Sequence, residues 1–216
     1  MTRPLAISAI VVLAVACTSC WTVRPIESRD GASETAATLS PAAYVNALWS
    51  SKLLPAVENS AVDARTFLDA FAKSPTEALA LWGRHDANGP VYLAVKGTGR
   101  VISVDTHSKV GLALVDVAPF DGKPDVTIQV GPVLRGTSLR DATGLVRFSD
   151  FVNQLQFADV GNALNDRVLK TVLAPLDLAA LAGKSISFAG TASGDANAAP
   201  PVRELAPVRL MVEESR

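Results

Sequence analysis

Polar side chains that could bind a ligand are concentrated between Gly131 and Asn165. A guanidinium offers paired N–H donors to an anion or a sugar, and neighbouring carboxylates and amides can complete such a site. The candidate ligand-binding residues of this segment are Arg135, Thr137, Arg140, Asp141, Asp150, Asn153 and Gln154. The same residue types also cap helices and tie loops to a sheet by hydrogen bonds. We favour the structural role and keep a site for a sugar or sugar acid as the alternative.

Motifs for catalysis and metal binding are incomplete. Gly183-Lys184-Ser185 lacks the earlier glycine that a phosphate-binding loop requires. Asp105 and His107 are two candidate ligands on one strand, and two ligands do not make a metal site. A hydrolase of the glycosidase type would need Asp141 or Asp150 to act with a second carboxylate across a cleft. We therefore expect a protein that is not an enzyme and has no catalytic residue, metal or cofactor, and a carboxylate-dependent hydrolase is the least favoured alternative.

The residues after Pro90 have an α+β pattern. A hairpin or bulge is predicted at Gly97-Thr98-Gly99, and a half-buried strand is predicted where Thr127 and Gln129 alternate with apolar residues. Strand patterns cover residues 91–96, 101–105, 110–117, 126–130, 186–188 and 208–212, with a loop between the last two, and a helical pattern covers residues 159–173. If residues 91–105 are one strand with a bulge, there are five main strands with one helix between the third and the fourth, which is the order of the OB-fold, a five-stranded Greek-key β-barrel. An open antiparallel sheet packed on one helical layer is the alternative.

Helices are predicted for residues 40–89, which precede the strands. Ser40-Pro41 supplies an N-cap and a proline at the first helical position, and Pro55 ends or kinks this helix. A second amphipathic helix is predicted for residues 61–73. The sequence from Ser74 to Glu77 matches a capping box that opens a third, short helix.

The first 26 residues have the layout of a secretory signal. Arg3 provides a basic start, an apolar run follows from Leu5 to Ala16, and Cys17-Thr18-Ser19-Cys20 places small residues before a cysteine. The apolar run is shorter than the roughly 20 residues that span a bilayer, so we expect it to be removed. We predict cleavage before Cys20 and lipidation of its sulfur. Cleavage before Cys17 is the alternative.

Cysteine content, net charge and aromatic content exclude several kinds of chemistry and partner. If the signal is removed before Cys20, the mature chain keeps that one cysteine at its N-terminus. The residues after it contain no cysteine, which excludes disulfides, thiolate metal sites and a cysteine nucleophile there. The formal net charge is −1 and aromatic residues make up 6% of the chain, so neither a basic surface nor a set of stacking platforms points to nucleic acid.

Several segments resemble a known family. They are residues 105–117, Ile128-Gln129-Val130-Gly131-Pro132, Arg135 to Ala142, Phe148-Ser149-Asp150-Phe151, Asn153-Gln154, Asn162 to Asn165, and the start from Cys20 to Ile26. The chain resembles a family of predicted periplasmic lipoproteins, the domain of unknown function 2291. The resemblance implies an OB-like barrel with added helices and a gene neighbourhood that contains sugar-importing ABC transporters. It carries over no catalytic residue.

The predicted organisation has four parts. Residues 1–19 are a lipoprotein signal peptide, 20–39 a lipidated cysteine and flexible tether, 40–89 an N-terminal helical segment, and 90–216 an OB-like barrel domain. We expect the protein to lie in the periplasm of a Gram-negative bacterium, with its lipid in the inner or outer membrane. The expected role is that of a non-catalytic binding or accessory protein with a periplasmic protein partner, such as an ABC transporter component. The alternative role is that of a small-ligand binder.

Overall fold

The N-terminal helical segment begins as the capping residues predict. The structure, a computed structural model, describes residues 40–85 and 90–213; Cys20, the signal and the tether lie outside these ranges. Helix α1 spans Pro41–Leu48, and the Ser40 hydroxyl oxygen accepts a hydrogen bond from the Ala43 N–H at 3.3 Å. A π-helical turn, Trp49–Leu53, leads into α2, Leu54–Ser60, so the helix continues past Pro55. The wider turn suits a proline, which has no N–H to donate.

Two further helices follow. Helix α3 spans Ala64–Lys73 and α4 spans Pro75–Trp82. The predicted capping residue Ser74 accepts a hydrogen bond from the Glu77 N–H at 3.4 Å. Helix α3 starts three residues later than predicted, because Val62 and Asp63 pair with a strand and Asp63 then caps the helix.

A single seven-stranded sheet makes the fold α+β. Its strands are β1 Val62–Asp63, β2 Arg84–His85, β3 Val91–Asp105, β4 Leu112–Asp116, β5 Val126–Gln129, β6 Ser185–Gly194 and β7 Val202–Val212. The hydrogen-bonded order is β1-β3-β4-β5-β7-β6, β2 pairs with β3, and β6 also pairs with β3. Strands β5 and β7 are parallel, whereas β3–β4, β4–β5, β6–β7 and β3–β6 are antiparallel. The two strands beyond the predicted five are two-residue strands before β3.

The hairpin or bulge predicted at residues 97–99 is wrong, because β3 runs through both glycines as one 15-residue strand and pairs with β6 there without a register shift. A Cβ on Gly97 would lie 2.8 Å from the Cβ of Ala64, and one on Gly99 would lie 2.5 Å from Cγ1 of Val115. The glycines therefore allow close packing instead of making a turn. The register shift between β3 and β4 lies at Ile102.

The long helix lies between β5 and β6 in the chain, as the apolar spacing predicted. Helix α6 spans Gln154–Val168, and a π-helical turn, Leu169–Leu173, extends it. A short helix α5, Ser138–Asp141, precedes it. One hydrophobic core joins the sheet, α6 and the N-terminal helices, with Phe67, Ile128, Leu164 and Phe188 among its fully buried side chains. None of the helices in residues 40–85 and 90–213 is both long and apolar enough to cross a membrane.

Candidate functional site

The polar residues of β5 are buried, which corrects the prediction of a half-buried strand. Thr127 is 5% exposed and Gln129 is 1% exposed. The face that the alternation assigned to solvent is covered by Arg135 and by Glu204 of β7. Polar alternation along a strand therefore does not mark a solvent face here.

Gln129 connects three parts of the chain. Its amide nitrogen donates to the carbonyl oxygens of Arg135, at 3.1 Å, and Glu204, at 2.8 Å, and its amide oxygen accepts from the Arg135 N–H at 2.7 Å. The Thr127 hydroxyl oxygen accepts from the Glu204 N–H at 2.8 Å. These bonds satisfy the backbone at a bulge, where β7 has one more residue than β5 between paired positions.

Two of the predicted binding residues contact residues of the sheet: Arg135 contacts β7 and Thr137 contacts β3. The Arg135 guanidinium forms an ion pair with Glu204 at 2.8 Å, and its side chain is 57% exposed. The Thr137 hydroxyl lies 3.2 Å from the hydroxyl of Tyr92 on β3. Glu204 itself has a φ of 50°, a left-handed conformation that is uncommon outside glycine, asparagine and aspartate. A strained residue thus carries the carboxylate that holds Arg135.

Arg140 and Asp141 bind each other. Nε and Nη2 of Arg140 donate to the two carboxylate oxygens of Asp141, at 2.7 and 3.0 Å, and both side chains are largely buried. Nη1 of Arg140 donates to the carbonyl oxygen of Phe157 at 3.3 Å, and the guanidinium lies 3.8 Å from the centre of that ring. The contacts join α5 to α6 and occupy both oxygens of the carboxylate.

The other predicted binding residues lie where the chain enters α6. One carboxylate oxygen of Asp150 accepts from the Arg147 N–H at 3.3 Å. The Asn153 side chain accepts from the Gln156 N–H at 2.9 Å, so it caps α6 and starts that helix five residues before the predicted position. Gln154 is exposed in the first helical turn. Among the predicted binding residues, Arg135 alone lines the polar cleft that lies beside the bulge.

A polar cleft of about 260 Å³ lies beside the bulge. Its lining residues come from β5, the segment after it and the β6–β7 hairpin: Gln129, Arg135, Gly136, Ser138, Ser193, Asp195, Ala198, Arg203 and Glu204. Arg203 is exposed. The composition of residues 192–207 predicts a loop and gives no sign of the lining residues from the hairpin. In the structure β6 extends to Gly194 and β7 begins at Val202.

A larger, apolar groove of about 490 Å³ lies at the C-terminal end of α6. It is lined by Thr106, Val130, Gly131, Pro132, Leu169, Leu173, Ala174, Leu176 and Leu178. Its position depends on the π-helical turn after α6, which brings Leu169 and Leu173 against the end of β5. The sequence pattern gave a helix through residue 173 but did not show that this end faces Val130.

Asp105 and His107 form a turn. The Asp105 carboxylate accepts from the backbone N–H groups of His107, at 2.9 Å, and Ser108, at 3.2 Å. Hydrogen bonds from the Ser108 side chain, and then from these backbone groups, lower the pKa of Asp105. Across residues 40–85 and 90–213 the structure contains no cluster of three or more His, Cys, Asp or Glu side chains that could hold a metal.

The fold is similar to that of a solved OB-fold protein from Thermotoga maritima. The TM-score is 0.66 at 20% sequence identity, and the match covers 81% of this chain and 99% of that one. At this identity the similarity shows the fold alone. No curated protein matches the sequence.

The chain belongs to the family of predicted periplasmic lipoproteins named domain of unknown function 2291, whose model matches residues 10–211. This confirms the resemblance carried by residues 105–165. The protein is a periplasmic lipoprotein, and a lipoprotein is anchored to a membrane.

Proposed function

We propose that the protein is a non-catalytic accessory protein that binds a protein partner in the periplasm, and that the partner is a component of a sugar ABC importer. The lipid keeps the fold beside a membrane, where such importers lie. The link to sugar uptake comes from the gene neighbourhood that the family resemblance implies. The partner-binding role is supported by the apolar groove.

We also propose that the five longer strands form an OB-type barrel. The hydrogen-bonded path from β3 through β4, β5, β7 and β6 returns to β3. The parallel pair β5–β7 and the helix between β5 and β6 agree with the OB order. A closed barrel gives a rigid frame on which α6 and the adjoining loops present the groove.

The apolar groove carries the proposal of a protein partner. Val130 and Leu173 at its base are 3% exposed, and Leu176 and Leu178 are partly exposed at its edge. Thr106 is the one polar side chain among the described lining residues. A sugar needs several hydrogen-bond partners, whereas apolar side chains of a protein need contact area and exclusion of water. The groove therefore suits a projecting apolar segment of a protein.

The engaged carboxylates support a non-catalytic role. A glycosidase needs one carboxyl group to donate a proton and a second to attack or activate water. Both oxygens of Asp141 accept hydrogen bonds from Arg140. Asp150 accepts from the Arg147 backbone and lies near the guanidinium of the same residue. We infer that these residues hold the fold and carry out no chemistry.

Photo-crosslinking in living cells tests the partner proposal. A photoreactive phenylalanine analogue replaces Leu178 in the full-length lipoprotein, and the control position is Met211 on β7, which is 55% exposed. We expect a discrete adduct with an importer component from position 178 but not from 211. Leu176→Asp should abolish the adduct, because it places a charge in the apolar groove. Equal adducts from both positions, or an adduct unaffected by Leu176→Asp, contradict the proposal.

The polar cleft supports a second candidate function, binding of a sugar acid. Arg203 is exposed at the cleft and forms no ion pair with a carboxylate among the described residues. A guanidinium can bind a carboxylate with two hydrogen bonds, and the exposed hydroxyl of Ser193 at the cleft can donate to a sugar hydroxyl.

Thermal melts with sugars and sugar acids distinguish the second candidate from the first. Binding to the folded state raises the melting temperature, and the stabilisation grows with the logarithm of the ligand concentration once that concentration exceeds the dissociation constant. A rise with a sugar acid that disappears in Arg203→Ala but persists in the exposed control Arg147→Ala supports the small-ligand function. The same melting temperature with every compound contradicts it.

A further inference from the structure

Exposed apolar side chains are concentrated where the chain enters α6. Phe148 is 55% exposed, Val152 is 71% exposed and Leu155 is 70% exposed. We call these three residues the apolar corner. They lie within eight consecutive positions of the chain. Exposed large apolar residues grouped in this way mark a contact with a protein or a membrane.

Aromatic packing holds the apolar corner in place. The Phe148 ring is 5.6 Å from that of Phe157, and the Phe151 ring is 5.7 Å from the same ring. Phe157 lies under the Arg140 guanidinium, which is itself paired with Asp141. Phe148 therefore packs on an aromatic cluster on one side and remains 55% exposed on the other.

The tether joins the fold at the same place. The Phe151 ring is 5.3 Å from the ring of Tyr44, which lies in the first turns of α1. Ser40, the cap of α1, is the first described residue. The predicted lipid site, Cys20, is 20 positions before Ser40 in the chain. A segment of that length can reach at most about 70 Å.

The geometry points to a second membrane contact, in which the apolar corner inserts into the lipid leaflet that holds the N-terminal lipid. The corner and the tether attachment lie together, so one orientation of the fold brings both to the bilayer. A tethered protein has a high effective concentration at the membrane, so a small patch is sufficient for contact. Arg147, whose side chain is 72% exposed, adjoins the corner and places a guanidinium at the level of the lipid headgroups.

The contact gives the lipoprotein a fixed orientation on the membrane. A single acylated cysteine anchors the chain without setting which face points outward. Insertion of Phe148, Val152 and Leu155 buries apolar side chains at the boundary between headgroups and acyl chains, as in other proteins that bind the membrane interface. This inference concerns the membrane contact and does not depend on the identity of a partner at the apolar groove.

Depth measurements with a spin label test the inference on the acylated full-length chain. Residues 21–216 contain no cysteine, so Val152→Cys introduces one labelling site into the body. Leu81→Cys is the matched control, because Leu81 is also 71% exposed and lies on α4. Each labelled protein is reconstituted alone in vesicles of phosphatidylethanolamine and phosphatidylglycerol. Collisions of the label with oxygen, which enters lipid, and with a water-soluble nickel chelate report its depth.

We expect the label at position 152 to collide more with oxygen and several-fold less with nickel than the label at position 81. Adding Leu155→Asp to Val152→Cys should return position 152 to the values of the control. Equal nickel accessibility at both positions overturns the inference. Protection of position 152 that rises with the protein-to-lipid ratio assigns the corner to a second copy, and protection seen only in native membranes assigns it to another protein; both results also overturn it.

Discussion

The side-chain amide of Gln129 donates to the carbonyl oxygen of Glu204, 2.8 Å away and 75 positions later in the chain. The bond crosses between the parallel strands β5 and β7 at the bulge. A buried side chain therefore replaces the backbone pairing that the bulge interrupts. It also positions the residue that forms the ion pair with Arg135 at the polar cleft.

Gln129→Leu should destabilise the protein although leucine has a similar size. The change leaves the Arg135 N–H and the Glu204 carbonyl without their partner in a buried place, at roughly 1–3 kcal/mol for each group left unsatisfied. Urea unfolding of the variant measures the loss. Gln154→Leu is the control, because Gln154 is exposed and should change the free energy of unfolding by no more than about 0.5 kcal/mol. Similar small effects at both positions would contradict the connecting role of Gln129.

The left-handed conformation of Glu204 leads to a second prediction. Asparagine adopts a positive φ at low cost, whereas valine does so at a cost of roughly 1–2 kcal/mol. We expect Glu204→Val to be less stable than Glu204→Asn by about that amount, as measured by urea unfolding. Both variants lose the Arg135 ion pair, so the difference between their free energies of unfolding reports the cost of the positive φ at position 204. Equal stabilities would show that position 204 does not keep its φ of 50°.

The elements that the sequence predicts well depend on contacts within a few residues. Ser40 and Ser74 each cap a helix through an N–H three positions later. A local pattern contains both partners of such a bond, so the starts of α1 and α4 were predictable. Alternating apolar residues also predict β6 and β7, although the predicted strands are shorter than the observed ones.

The elements that the sequence predicts poorly depend on distant residues. Gly97 and Gly99 look like turn residues until Ala64 and Val115 are seen against them. Gln129 looks exposed until Glu204 covers it. The apolar groove requires the end of α6 to meet the end of β5, and no spacing in the chain reports that contact. For the polar segment, residue types propose Arg135 as a binding residue but do not show that Arg140 and Asp141 bind each other.

Arg140→Ala and Asp141→Ala should each lower the stability of the fold. Removal of either partner leaves the other charge largely buried without its two hydrogen bonds, and we expect a loss of about 1–3 kcal/mol. Arg147→Ala is the control, since its side chain is 72% exposed and its pair with Asp150 is 3.8 Å long, and such pairs contribute about 0–1 kcal/mol. Thermal melts of the three variants and the unmodified chain measure these losses of stability. A sugar-induced rise in melting temperature that is lost in Arg140→Ala, with basal stability unchanged, would instead assign Arg140 to a ligand site.

The carboxylates of the β4–β5 loop predict a dependence of stability on pH. Burial raises the pKa of Asp125 above its ordinary value of 3.8, and the charges of Asp116 and Asp121 raise it further against the lowering effect of a hydrogen bond from Val117. The folded state thus binds a proton more tightly than the unfolded state. The contribution of Asp125 to stability is greatest below about pH 3.8 and is lost as the pH rises through the raised pKa.

Asp125→Asn should remove this loss while keeping an oxygen that accepts from the Val117 N–H. We expect the variant to be more stable than the unmodified chain near neutral pH and equally stable below about pH 3.8, as measured by urea unfolding across this range. Asp121→Asn should have the opposite sign at neutral pH, because the Lys123 backbone N–H lowers the pKa of Asp121. A stability difference for Asp125→Asn that stays constant with pH would show that Asp125 does not titrate in this way.

The lipid site gives the last prediction. Cys20→Ala should abolish incorporation of a labelled fatty acid, because the predicted signal then has no lipid acceptor at its cleavage point. Cys17→Ala is the matched control and should leave labelling unchanged, since cleavage before Cys20 removes Cys17. A protein that is still labelled after Cys20→Ala, and loses its label after Cys17→Ala, would place the cleavage before Cys17. Each buried methylene of an acyl chain contributes roughly 0.8 kcal/mol to membrane binding. We therefore expect the chain acylated at Cys20 to be recovered in the membrane fraction.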